Sequence, residues 1–103
     1  EYLTMANIYY RLTMGQDFYS KTNRQMLENK AFQFILLLRK ANKDKIKAAD
    51  KDVVKTIKNI FSIKGRFDER IYERYAKEQL MMTPRIFEEY IRKILTADMV
   101  LDK

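Results

Sequence analysis

The 103-residue chain has no cysteine and no histidine, no tryptophan, only two glycines and a single proline. Without Cys it can form no disulfide, thiolate zinc site or iron–sulfur cluster, and it has no thiol nucleophile. Without His it lacks the commonest general base and the commonest zinc ligand, so Ser20 and Ser62 have no imidazole to activate them. Gly15 and Gly65 stand alone, which excludes a glycine-rich phosphate loop. The shortage of Gly and Pro also argues against a sheet protein, whose many turns need both. The longest apolar stretch, Ala31 to Leu38, has seven apolar residues in eight and falls far short of the roughly 20 needed to span a bilayer. No secretory leader is recognisable, and a start at Glu1 suits a processed product or an excised fragment. The expectation is one all-α domain over residues 1–103, with no room for a second core.

What the chain has in abundance is positive charge and soft apolar side chains. The net charge is +7, and +5 of it falls in residues 39–58. There Arg39, Lys40, Lys43, Lys45, Lys47, Lys51, Lys55 and Lys58 face only Asp44, Asp50 and Asp52. Such a patch fits either a solvated surface or an anionic partner. The stretch contains no aromatic residue for bases to stack on, and 42–48 does not resemble the short turn of a helix-turn-helix. A small basic nucleic-acid-binding or scaffold domain is therefore the second reading.

The apolar spacing predicts five helices and no strand. The first runs from about Tyr2 to Tyr19 on Met5, Ile8, Tyr9 and Leu12, weakened near Gly15. Thr22 with Gln25 reads as a capping box opening a helix over about Asn23 to Ala41. Apolar residues nearly all round make that the central, multiply buried helix. A third helix starts at Ala49 or Asp50, with Val53, Val54, Ile57, Ile60 and Phe61 on one face and Lys51, Lys55 and Lys58 on the other. Gly65 supplies a positive φ in the turn SIKGRFD, and Asp68 caps a fourth helix with Phe67 and Tyr72 placed as a hydrophobic staple. Thr83–Pro84 opens the last helix, with Met82 and Phe87 as a second staple and a stripe through Tyr90, Ile91, Ile94 and Leu95.

Little chemistry is available to such helices. Asp68–Glu69 and Glu88–Glu89 are adjacent pairs that point in different directions, and Glu69, Glu73 and Glu78 are interleaved with Arg70, Arg74 and Lys77. No catalytic residue, metal site or cofactor is expected. Six Met, seven Tyr and six Phe are more than a domain of this length can fully bury. Met is over-used on surfaces that adapt to varied apolar partners, and Tyr adds area with a polar tip. The residues expected to line such a groove are Met14, Phe18, Tyr19, Tyr75, Met81, Met82 and Tyr90.

From Asp50 onward, the segments ADKDVVKTI, FSIKGRFDERIYERY and MMTPRIFEEYIRKIL occur in an order that resembles the N-terminal chaperone domain of the SurA/PpiD group of periplasmic foldases. The matching positions are Gly65, Phe67, Asp68, Tyr72, Thr83, Pro84, Phe87, Ile91, Arg92 and Leu95. Upstream, RQMLENK (Arg24 to Lys30) is similar to the family's R-Q-x-L helix but departs from it at Lys30, Ala31 and Phe32, where Leu-Ile is usual. The resemblance implies an all-helical module that binds unfolded exported or outer-membrane polypeptides in the periplasm, with an inner-membrane anchor on the parent left open. It implies no small-molecule substrate and no nucleic acid. The family couples this module to parvulin-type peptidyl-prolyl isomerase domains, which are mixed α/β and use His residues. None can lie within this His-free chain, so isomerase activity is not expected of it.

Overall fold

A computed structural model describes residues 1–102; Lys103, the last residue of the expected domain, lies outside the described residues. The first helix, α1 (Tyr2–Met14), stops where Gly15 takes φ 57°, a conformation that any side chain would resist. A 3₁₀ turn and a single helical turn, α2 (Phe18–Lys21), follow at this corner. The predicted continuous helix to Tyr19 is thus broken, because Gly15 makes a change of direction cheaper than continuation.

The next helix, α3 (Arg24–Lys43), is capped by Asn23 and not by Thr22: the Asn23 side-chain Oδ1 accepts from the Met26 N–H at 2.9 Å. Thr22 is extended and one residue too early, its hydroxyl donating to the Met14 sulfur at 3.2 Å. Gln25 turns to Asn29 instead of back to the cap. The helix also outruns its predicted end. It closes with Lys45 at φ 57° and the Ile46 N–H bonded to the Ala41 carbonyl at 2.8 Å, a Schellman closure whose C′ position is held by Lys instead of Gly.

Helix α4 (Asp50–Ile60) has Val53 and Ile57 buried while Lys51, Lys55 and Lys58 are exposed. Then come two short strands that the helical reading did not include, β1 (Ser62–Ile63) and β2 (Arg66–Phe67), paired antiparallel with Ser62 opposite Phe67. Lys64 at φ 52° and Gly65 at φ 80° form the two-residue hairpin turn, whose positive φ angles match the twist of paired strands. A run of two residues is too short for alternation to register, which is why the pattern read as a plain turn.

Asp68 caps α5 (Glu69–Arg74), accepting from the N–H groups of Arg70 and Ile71. The helix widens into a π turn over Tyr75–Gln79. The last helix, α6 (Pro84–Leu101), begins with Pro at its first position and the Thr83 hydroxyl accepting from the Ile86 N–H at 3.3 Å. Helix α3 packs against both α1 and α6, and α4 packs on α6. The core joins Met5, Ile8, Phe34, Ile57, Phe61, Tyr72, Phe87 and Ile91. The fold is all-α apart from the hairpin.

Burial of α3 is less complete than its apolar run suggests. Ala31 and Phe34 are buried, but Phe32 is 62% exposed and Leu36 is exposed beside it, one turn on. Two packing partners cover two sides of a helix and leave the third in water.

The caps give a direct test. Asp68→Ala combined with Thr83→Ala removes two contributions of about 0.5–2 kcal/mol each. For a domain of this size, a loss of about 2 kcal/mol lowers the melting temperature by roughly 8–16 °C. Lys51→Ala, Lys55→Ala and Lys58→Ala together leave it nearly unchanged. Asn23→Ala costs more than Thr22→Ala, the reverse of what the sequence pattern suggests. Thermal unfolding followed by circular dichroism reads all four.

Candidate functional site

A broad, open trough lies where α5 ends and α6 begins. The π turn closes with the Leu80 N–H on the Tyr75 carbonyl at 3.2 Å and the Met82 N–H on the Ala76 carbonyl at 2.9 Å. That is a helix closure one residue wider than a Schellman motif. It places Met81 at the left-handed position, φ 54°, with its side chain 88% exposed. Beside it the trough, of about 770 Å³, is lined by Glu73, Lys77, Met81, Met82, Thr83, Pro84 and Ile86.

Two further concavities join this trough through shared walls. Met82 also lines a depression of about 340 Å³ with Leu3, Ile8, Leu27 and Leu80. Ile86 also lines one of about 270 Å³ with Arg85, Glu89, Tyr90 and Lys93. The result is an apolar path from the start of α1, across the α5–α6 corner and along the first half of α6. Leu3, Met81 and Ile86 are exposed along it. Charged side chains of both signs, Arg24, Glu73, Lys77, Arg85, Glu89 and Lys93, edge the path.

The corner is held from beneath by Tyr72. Its hydroxyl donates to Glu88 Oε2 at 2.6 Å and lies 3.2 Å from the Pro84 carbonyl oxygen, tying α5 to the first turns of α6. Burial, followed by the hydrogen bond to and charge of Glu88, pushes the Tyr72 phenol well above its ordinary range. Further along α6, Arg92 donates to the Ala48 carbonyl at 2.7 Å and pairs with Asp50. The Thr96 hydroxyl accepts from the buried Ala48 N–H at 3.0 Å. These contacts clamp the Lys-rich connection 44–49 onto the helix.

The seven expected groove residues fall into two groups. Met81, Met82 and Tyr90 line the path just described. Met14, Phe18, Tyr19 and Tyr75 do not. Phe18 is buried and Met14 is half-buried. Tyr19 is exposed, its hydroxyl accepting from Arg11 at 2.9 Å while the guanidinium lies over the Phe18 and Tyr19 rings. Tyr75 packs on Phe61 with ring centroids 5.4 Å apart, and burial pushes its phenol up. The α1–α2 corner uses these aromatics to pack itself. Of the motif positions, Gly65 has φ 80°, Asp68 and Thr83 cap, Pro84 begins α6 and Phe87 is fully buried, while Phe67 stacks near Tyr72 at 6.1 Å.

Leu3, Leu27, Leu80 and Ile86 were not expected in the site. The available signal was an apolar residue off its helix's stripe: Ile86 departs from the Phe87–Ile91–Ile94 face, and Leu3 from Met5–Ile8–Tyr9.

The family model described as SurA-like N-terminal domain matches residues 5–101. The chain belongs to the SurA-like N-terminal domain family. Comparison with curated proteins and with solved structures returned no match. Among the described residues of this SurA-like domain, no helix is long and apolar enough to cross a membrane.

Tyr72 supplies the prediction. Tyr72→Phe deletes a hydrogen bond to a charged group and costs about 1.5–3 kcal/mol. Because the folded state holds the phenolic proton more tightly than the unfolded chain, stability from this group is intact below about pH 10 and drains away as pH rises further. The wild-type domain therefore loses stability more steeply than Tyr72→Phe between neutral and strongly alkaline pH. Urea titrations across that range test it.

Proposed function

We propose that this SurA-like domain is a polypeptide-binding chaperone module that holds unfolded exported or outer-membrane proteins in the periplasm. The observation that carries this reading is Met81. A non-glycine residue at φ 54° costs free energy, and a Met that is 88% exposed at a position where Gly is usual buries little apolar surface in return. Its side chain reaches over an apolar path formed by three linked concavities, which suits an extended chain better than a compact molecule. Flexible thioethers re-pack against different side chains, so binding is weak and tolerant of sequence. Family membership supports the same reading.

The polyanion alternative has the exposed lysines of α4 in its favour but no aromatic residue among them. Binding to nucleic acid that rests on this patch alone is weak and disappears with modest salt.

The test is suppression of light scattering when a urea-unfolded outer-membrane β-barrel protein is diluted into buffer. The wild-type chain suppresses it. Met81→Asp with Ile86→Asp loses most of the effect at unchanged melting temperature, since Asp tolerates the left-handed region better than Met and both sites are exposed. The Lys51/Lys55/Lys58 triple alanine variant retains the effect, and no variant or wild type turns over a prolyl peptide. Full activity of the double Asp variant, or tight salt-resistant binding of an RNA oligomer, would overturn the reading.

A further inference from the structure

A second cleft lies about 110° round α6 from the Ile86–Tyr90 face, judged from helical spacing. Its floor is apolar: Leu12 from α1, Ile60 from α4, and Ile91, Ile94 and Leu95 from α6 enclose about 230 Å³. An apolar cavity of about 150 Å³ in another protein accommodates a benzene ring, so this one admits a Leu or Phe side chain. Thr56, Leu95 and Asp98 continue its wall into an adjoining, more polar depression of about 390 Å³, where among the described residues Asp52 and Asp102 stand with one cation, Lys55.

The charge at this cleft runs against the rest of the molecule. The chain carries a net +7, yet this cleft and the depression beside it bring Asp52, Asp98 and Asp102 together, and among the described residues none of the three forms an ion pair. Partial burial and the neighbouring Asp102 both push the Asp98 carboxyl up, while Lys30 across the α3–α6 contact pulls it down. An external cation at this point would relieve that arrangement.

We propose that the α1–α4–α6 cleft is a peptide subsite that takes one large apolar side chain flanked by Lys or Arg. The apolar side chain fills the pocket, and the flanking cations meet Asp98 and its neighbours. This deepens the reading of the domain as a polypeptide binder and rests on it. It divides recognition between a charge-neutral path at the α5–α6 corner and a charge-selective pocket on another side of α6.

The experiment titrates ¹⁵N-labelled chain with two synthetic peptides of equal length, Lys-Phe-Lys-Leu-Lys and Glu-Phe-Glu-Leu-Glu. Saturable amide shifts at Leu12, Ile60, Leu95 and Asp98 with the basic peptide, absent with the acidic one, are expected. The variant carrying Asp52→Asn, Asp98→Asn and Asp102→Asn weakens basic-peptide binding by about tenfold. Thr56→Trp, which fills the shared wall, abolishes it while the rest of the spectrum stays that of the folded chain. Shifts confined to Leu3, Met82 and Ile86, an equal response to both peptides, or no shift at all would overturn the subsite. Aggregation suppression that survives in the triple Asn variant and is lost in Met81→Asp/Ile86→Asp would leave the chaperone reading standing without it.

Discussion

The packing of Phe61, Tyr72 and Phe87 is the contact on which the second half of the domain depends. Their rings lie 5.1, 5.8 and 6.0 Å apart in pairs, and Phe87 is completely shielded from water. One residue comes from the end of α4, one from α5 and one from α6, so the cluster fixes α6 against two helices, α4 and α5, that are too short to be stable alone. Phe67 at the end of the hairpin and Tyr75 at the start of the π turn extend it on either side. A buried aromatic trio offers large contact area at little cost in rotamer freedom, and edge-on and tilted rings add to it.

The site follows from how that cluster is connected. Tyr72 reaches from it to Glu88 and Pro84, so the corner between α5 and α6 is rigid below while the chain above it is left protruding. The π turn adds one residue to the helix end, and that added residue shifts Leu80, Met81 and Met82 out of the helical stripe. Leu80 and Met82 pack partly against the core, and Met81 is left in solvent. A groove with a firm floor and a flexible rim is the arrangement that allows sequence-tolerant binding without loss of fold.

Charge is distributed to match. The Lys-rich stretch is anchored through Arg92 and Thr96, whose partners are the backbone of Ala48 and the carboxylate of Asp50, so its lysines remain solvated. The apolar path is edged by both signs and the α1–α4–α6 cleft by acidic groups, against a basic whole.

Much of this was legible in one dimension. The caps at Asp68 and Thr83 marked two helix starts because capping is local chemistry between neighbours. Gly65 marked its turn for the same reason. Where two adjacent residues could both cap, as at Thr22 and Asn23, the pattern chose the wrong one, because the phase of α3 is set by burying Ala31 and Phe34 against α1 and α6. Phe32, Leu36, Phe18 and Met81 are alike as letters, yet two are exposed on a helix face, one is buried under Arg11 and one overhangs a groove. Local sequence determined where the helices lie and those ends that a single cap or glycine marks, since these depend on contacts within a few residues. Tertiary packing alone decided which apolar side chains became core and which became surface, since that depends on what the rest of the chain brings alongside.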